Sequence, residues 1–377
     1  MMQPLSGIKV VDFSTLLPGP ICTLLLAEAG ADVIKIEKPA GGDEMRSYSP
    51  KAGPDSVNFG LLNRGKRSTA IDLKSTQGRD SVLALIAEAD VLVEQFRPGV
   101  MERLGLGFEK LSELNPKLIY CSITGYGQTG DKADKAAHDL NYLAETGLLG
   151  LSRGSGGAPV LPPVLVADIA GGAYPALMNI LLALRQRDVD GRGRHLDVSM
   201  ADNLFTFMYW GLGAGFTGSG WPKPAAELVT GGTARYQIYR TADAQYLAAA
   251  PLEDKFWHNF AIALDAPDLE LYEDGVPLIA RVASIIEQKS AAFWLDRFSN
   301  LDVCTVRVVS LDEAVADPHF GQRDLFSRRV RLSDGTTIPA LPVPIDGQFR
   351  SSLEILDAPQ LGAHTSVVFG SRAGGEQ

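Results

Sequence analysis

Three residues have the chemistry to move a proton or attack a carbonyl, and each stands where a helix should begin. Asp168 closes the apolar run Val164-Leu-Val-Ala-Asp168 and is followed by Ile-Ala-Gly-Gly172. A carboxylate at that place either ties off the helix end by accepting from free backbone N–H groups or faces a ligand. In the second case the same N–H donors can stabilise a developing enolate or oxyanion. Gly171 and Gly172, lacking a Cβ, would let a ligand approach the backbone. His138 follows the glycine-punctuated segment Thr124-Gly-Tyr-Gly-Gln-Thr-Gly130 and opens His138-Asp-Leu-Asn-Tyr142. It serves a turn or, with Asp139, Asn141 and Tyr142 fixing its ring, works as an acid–base group. Glu253 opens a further helix, where a first-turn acid also suits the helix dipole. The residues alone indicate an acid–base site on an α/β scaffold.

Other chemistries lack their signatures. There is no G-x-S-x-G nucleophile elbow and no P-loop lysine motif. The cysteines Cys22, Cys121 and Cys304 are far apart and form no C-x-x-C pair, so neither a disulfide framework nor a metal site is expected. Free thiols fit a reducing compartment, and no signal peptide or peroxisomal tripeptide is read, so a cytoplasmic protein is expected.

The elements that must position these residues alternate between strand and helix in the first third. Strands are expected at 8–13, 32–37, 68–73, 91–96 and 117–123, with helices at 20–30 and 77–89. That alternation implies a parallel sheet with right-handed crossovers. The first turn, Ser14-Thr-Leu-Leu-Pro-Gly-Pro20, lacks the glycines of a dinucleotide fingerprint, so Rossmann-like topology without NAD is expected. A long helix should run from about 168 to 186, and a buried helix is preferred there to a membrane span because Asp168, Pro175 and Asn179 interrupt it. A strand at 195–200 and an aromatic-rich helical stretch to 216 follow, then a Gly/Pro-rich linker at 218–233. A hairpin at 236–250 and helices at 253–264 and 278–288 make a compact α+β unit. The expected division is a large domain over 1–217, a small domain over 218–325, and a segment over 326–377 returning to the large domain.

The chain has 377 residues and a net charge of −10, which argues against nucleic acid as the main partner. Yet residues 35–74 carry eight basic against five acidic side chains, 8 − 5 = +3, a local excess that suits either an anionic small ligand or a solvated surface.

At this point the sequence resembles a known family, the family III coenzyme A transferases of the CaiB/BaiF group, which also contains α-methylacyl-CoA racemase. The likeness rests on Leu5-Ser-Gly-Ile-Lys-Val-Val-Asp12, Gly30-Ala-Asp-Val-Ile-Lys-Ile-Glu37, Asn63-Arg-Gly-Lys-Arg67 and Asp72-Leu-Lys-Ser75. It continues through Phe96-Arg-Pro-Gly-Val-Met-Glu-Arg-Leu-Gly105, Gly125-Tyr-Gly-Gln-Thr-Gly130 and Val166-Ala-Asp-Ile169. His138-Asp-Leu-Asn-Tyr142 is similar to the racemase branch. The resemblance implies that His138 and Asp168 are the acid–base pair, with Glu253 supporting them. In the transferase branch Asp168 would instead be the nucleophile. The resemblance further implies an interlocked homodimer, with the site between the large domain of one subunit and the small domain of the other. Coenzyme A would enter as part of the substrate, held by Lys38, Lys74 and Arg97, with Asp139 and Tyr142 joining them; no other cofactor and no membrane partner is expected. Ala137 stands where a glycine usually precedes the histidine, and Ala244 replaces a hairpin glycine.

Two reactions follow. Racemisation or epimerisation alpha to a thioester needs a base on each face of the carbon. Transfer of CoA to a free acid needs one carboxylate nucleophile, forming a mixed anhydride. The complete His-Asp-Leu-Asn-Tyr segment favours the first, and a protein that merely binds thioesters would not need all three acid–base residues.

Overall fold

A computed structural model describes residues 2–154 and 156–370. The chain forms two compact units. One draws on Met1–Thr146, Pro163–Phe207 and His319–Gln377, the other on Gly147–Pro162 and Met208–Pro318.

The first unit is built on six parallel strands: β1 (Lys9–Asp12), β2 (Asp32–Glu37), β3 (Arg67–Ala70), β4 (Val91–Glu94), β5 (Ile119–Thr124) and β6 (Arg194–Ser199). Their order is β3-β2-β1-β4-β5-β6, the doubly wound order in which the winding reverses between β1 and β4. Every residue of β4 and β5 is buried, as expected of parallel strands covered on both faces. Helix α1 (Pro18–Glu28) joins β1 to β2, with prolines in its first turn and Gly30, at φ 103°, ending it. After β5 come α2 (Asp139–Glu145) and a π-helical stretch, Ala167–Ala173, that runs straight into α3 (Tyr174–Asp190). Helix α4 (Met200–Leu204) follows β6. Ala167–Asp190 is long and apolar enough to cross a membrane by length and composition, and 44% of its most apolar window is buried within the protein. Ala176, Ile180, Ala183 and Leu184 form its buried side.

The crevice at the winding reversal is filled from within. The Gly19 N–H donates to Gln95 Oε1 at 3.0 Å, and a Cβ on Gly19 would stand 2.1 Å from Ser14 Cβ. Below this contact lies a dry network of charges. Asp12, at the carboxyl end of β1, accepts from the Ser14 N–H at 2.9 Å, the Thr23 hydroxyl at 2.6 Å and Lys66 Nζ at 3.3 Å. Lys35 donates to the Ser14 carbonyl at 2.6 Å and pairs with Asp43 at 3.0 Å. Burial works to raise the Asp12 carboxyl, but the ammonium groups of Lys35 and Lys66 and the two hydroxyls outweigh it and hold it at about 2.

Much of the basic excess over residues 35–74 is turned inward, leaving Lys38, Lys51 and Lys74 exposed. Lys35, Arg64 and Lys66 are buried, paired with Asp43, Glu28 and Asp12. Arg46 pairs with Glu37, and Arg67 with Asp32. Counting charges along a sequence cannot separate a surface patch from cations turned inward to meet acids.

A small sheet, β10 (Arg329–Arg331) flanked by β11 (Thr337–Pro339) and β12 (Ile355–Asp357), completes this unit. The chain then reaches the β3 edge, where Ala70 N–H donates to Thr365 Oγ1 at 2.9 Å. Residues 371–377 of the expected returning segment lie outside the described residues, as does Ser155.

The second unit holds an antiparallel sheet in the order β9 (Thr305–Arg307), β8 (Tyr246–Ala249), β7 (Gln237–Arg240). Ala244 in the β7–β8 turn takes φ 59°, the left-handed conformation that a glycine would adopt without strain. Helices α5 (Asp254–Ala263), α6 (Val276–Ile286) and α7 (Ala291–Phe298) close a core containing Trp257, Phe260, Val282 and Trp294. Residues 218–233, expected as a linker, lie inside this unit: Trp221 packs on Gly215 and Pro222 on Gly211. The change of unit falls at Met208, within a helical stretch. The second unit ends at Pro318 rather than at 325, and 147–162, which includes a Gly-rich turn and ends at Pro162, belongs to it.

Replacing Asp12 with alanine would leave Lys66 buried and short of its counter-charge, an effect expected to cost about 3–5 kcal/mol. Urea unfolding of Asp12→Ala should show a midpoint lowered accordingly, and a loss below about 1 kcal/mol would mean that the network is dispensable.

Candidate active site

Cations expected from the sequence stand in segments that leave the carboxyl edge of the sheet. Lys38 follows β2, Lys74 follows β3 and Arg97 follows β4. All three are exposed, and Lys38 reaches Glu44 at 2.6 Å. The carboxyl edge of a doubly wound sheet is where ligands bind. Two acids hold the loops there. Buried Glu94 accepts from the Phe96 N–H at 2.8 Å, beside Arg97, and burial pushes its carboxyl up to about 7. Asp197 accepts from the Gln128 N–H at 3.0 Å and so fixes the glycine turn that leads to His138.

Asp168 does not tie off its helix. It sits in the first turn of the π-helical stretch, and Val166, which precedes that stretch, is already helical. The backbone donors expected to be free beside it are engaged: its own N–H donates to Asp139 Oδ1 at 3.0 Å, and the Ile169 N–H donates to the Leu165 carbonyl at 3.2 Å. They are thus not available for an oxyanion. The Asp168 carboxylate is half-buried and uncapped, and burial, followed by the nearby charge of Asp139, pushes it up to about 6.

The glycines after Asp168 serve packing rather than ligand approach. A Cβ on Gly171 would stand 2.5 Å from the Met200 carbonyl oxygen, and one on Gly172 would stand 2.9 Å from Met200 Cγ and 3.3 Å from Pro18 Cβ. The wider π-helical turn leaves carbonyls in need of donors, and Asn203 Nδ2 donates to the Gly171 carbonyl at 2.7 Å. Asn203 had no signal in the sequence, because its partner is a backbone atom of a distant segment.

His138 is exposed and precedes α2 in extended conformation. Its N–H donates to Asn141 Oδ1 at 3.0 Å, and its carbonyl accepts from the Asn141 N–H at 2.8 Å. The polar neighbours thus hold the backbone of this turn instead of the imidazole. Tyr142 donates its hydroxyl to the Ala137 carbonyl at 2.9 Å and packs edge-on against Tyr126. Burial, then the charge of Asp168, pushes the Tyr142 hydroxyl up to about 12, while Arg97 pulls the other way. Lys132 reaches Glu145 at 2.7 Å, and Lys135 pairs with it too, binding the 125–137 loop to the end of α2.

The structure therefore brings the His138 turn, Asp139, Tyr142, Arg97 and Asp168 to one corner of the first unit. Asp139 and Tyr142 depart from the expected cofactor-binding role: both are buried, and their polar atoms are turned to the protein backbone. Glu253 lies in the second unit, exposed at the position before α5, and its side chain does not cap that helix. Among the described residues no cluster of three or more His, Cys, Asp or Glu could hold a metal ion.

Raised carboxylates cost stability when ionised. Asp168 unfolded should titrate near 3.9 and folded near 6, so between about pH 4 and pH 6 the folded chain holds the extra proton. Raising the pH through that window removes stability, by up to about 3 kcal/mol once the group is fully charged. Asp168→Asn should accordingly be more stable than the parent at pH 8, with the gap closing toward pH 4, as read from denaturant midpoints. A variant less stable at pH 8 would show that the carboxylate is structural.

A family model described as CoA-transferase family III matches residues 5–365. Alpha-methylacyl-CoA racemase of Mus musculus is 34% identical over 377 residues, covering 97% of this chain and 92% of its own. Succinate–glutarate CoA-transferase of Agrobacterium fabrum is also 34% identical, over 386 residues, covering 97% and 94%. Among solved structures, a CAIB/BAIF family protein from Brucella suis superposes with a TM-score of 0.81 at 29% identity, covering 99% of this chain and all of that one.

Proposed function

The chain belongs to CoA-transferase family III, and on that premise we propose that it interconverts the two configurations at the alpha carbon of a 2-methylacyl-CoA thioester. It is an enzyme of the racemase and CoA-transferase group. The observation that carries the finer reading is the half-buried, uncapped Asp168 carboxylate, raised to about 6 and held in the same corner as the His138 turn. A proton alpha to a thioester is weakly acidic, and a base works best when its pKa lies near the working pH. A carboxylate at about 6 meets that condition far better than one near 4.

In this reading Asp168 takes the proton from one face to give an enolate, and His138 returns a proton to the opposite face. The reverse direction exchanges the two roles. Lys38, Lys74 and Arg97, following the ends of β2, β3 and β4, are the cations for the coenzyme phosphates. Glu253 is retained as a supporting acid on the family likeness alone. An interlocked homodimer in the cytoplasm goes with this function. Its support is the exposed apolar side of α3, with Met178, Leu182 and Val189, together with three free cysteines.

A second reading has its own support, since relatives named as CoA-transferases match as closely as the racemase does. There Asp168 attacks the thioester carbonyl, coenzyme A leaves as thiolate, and a mixed anhydride forms. His138 would then be unnecessary for the chemical step.

Heavy water separates the two. Incubation with a 2-methylacyl-CoA should place deuterium at the alpha carbon without any acceptor acid. His138→Ala and Asp168→Asn should each lower that exchange by about 10²- to 10⁴-fold. Transfer of CoA to a labelled free acid that persists in His138→Ala would establish the second reading instead.

A further inference from the structure

The buried acids of the first unit fall into two kinds. Asp12, Glu28, Glu37 and Asp43 are each paired with lysine or arginine. Glu94 and Asp139, each 4% exposed, form no salt bridge among the described residues; Glu94 holds the Phe96 N–H, and Asp139 lies against the π-helical stretch. The Asp139 carboxylate is met by the backbone N–H groups of Asp168 and Ala167, which open that stretch. Two N–H donors could be satisfied by a neutral acceptor, such as an asparagine or serine side chain, without burying a charge. Here a charge is buried, and it is buried beside a second carboxylate.

We propose that Asp139 is the positioning residue of the site: its carboxylate locks the backbone on which Asp168 is mounted, and its charge acts on the Asp168 carboxylate through space. This rests on Asp168 being the reacting group, and it holds for either reaction above, because CoA transfer and one direction of racemisation both start from that group ionised. The bond runs from the Asp168 N–H at 3.0 Å, so a movement of α2 moves the reacting carboxylate with it. Since His138 directly precedes Asp139, one short turn sets the positions of both acid–base candidates.

Other ionisable groups around Asp168 are placed differently. Tyr142 from α2 feels the Asp168 charge, and Arg97 acts on Tyr142. In the packed elements, Cys22 of α1 is buried, Glu28 is held by Arg64, and Asp202 of α4 and Tyr174 of α3 are exposed. On β5 and β6, His195 bonds Ser122 and Asp197 bonds the Gln128 N–H. Asp139 is the one whose charge raises Asp168. That charge adds to the effect of burial in holding the Asp168 carboxyl up.

Asp139→Asn keeps the acceptor and the shape but removes the charge, whereas Asp139→Ala removes both. Carboxyl-carbon NMR of the full-length protein labelled at aspartate follows the titration without any substrate, with Asp168→Asn assigning the signal. In Asp139→Asn the Asp168 signal should titrate at lower pH, toward the ordinary carboxylate range. The acid limb of the exchange profile should move down with it. The kcat for exchange should fall by about tenfold, less than the loss of a general base costs, with KM within about twofold. Asp139→Ala should lose more kcat than Asp139→Asn, and Asp139→Ser, which restores a neutral acceptor, should recover part of it.

An unchanged Asp168 titration in Asp139→Asn, or wild-type kcat in all three variants, would overturn the proposal. So would variants that lose stability while keeping the pH profile. Failure of the wild type to exchange deuterium would sink the racemase reading alone, because the NMR titration tests Asp139 independently.

Discussion

The ion pair of Asp12 with Lys66, deep beneath the carboxyl end of β1, is the contact on which the rest of the site is stacked. Because both groups are dry, neither can be left unpaired, and their partners must come from segments far apart in the chain. Thr23 on α1, Ser14 in the first turn and Lys35 on β2 all bind into the same knot. The knot fixes α1, and α1 presents Pro18 to Gly172 of the π-helical stretch. That stretch carries Asp168. The place of the Asp168 carboxylate, the proposed reacting group, thus depends on a buried salt bridge on another face of α1.

A second theme is the use of carboxylates to hold backbone at the edge of the sheet. Asp12 binds the N–H two residues on, Glu94 does the same for Phe96, Asp197 binds Gln128, and Asp139 binds Asp168. Loops at a carboxyl edge lack ladder partners for their N–H groups, and an acid supplies one with strong, directional bonding. A neutral side chain does the same at the winding reversal, where the Gln95 amide oxygen takes the N–H of Gly19. A doubly wound sheet is thereby kept while the place that a pyrophosphate would occupy is closed by the protein itself.

Much of the fold was legible in the residues. The six strands of the large sheet stand where short apolar runs and punctuating glycines indicated, with ends shifted by a few residues. Burial on both faces leaves a strong pattern, and Gly30 marks the end of α1 through its positive φ. Less of the site was legible. His138 and Asp168 stood out by type and setting, but the direction of each side chain did not. Asp139 and Tyr142 were taken for ligand contacts, yet both turn to backbone atoms in distant or neighbouring turns. Gly171 and Gly172 suggested an opening and instead admit the backbone of α4. The basic excess over 35–74 suggested an anionic ligand or a solvated surface, and Lys35, Arg64 and Lys66 are instead buried against acids.

The division has a physical reason. Alternating apolar runs, helix stops and the identities of the acid–base residues are local properties, and local sequence determined them: an α/β scaffold with a carboxylate and an imidazole available for proton transfer. Which carboxylates stay charged, which N–H groups they hold and whether a glycine faces solvent or another helix depend on what lies across the fold. Those were decided only when the sheet brought residues 12, 66, 139 and 168 into place, because burial and the nearest charge, not residue type, set the energy of an ionised group.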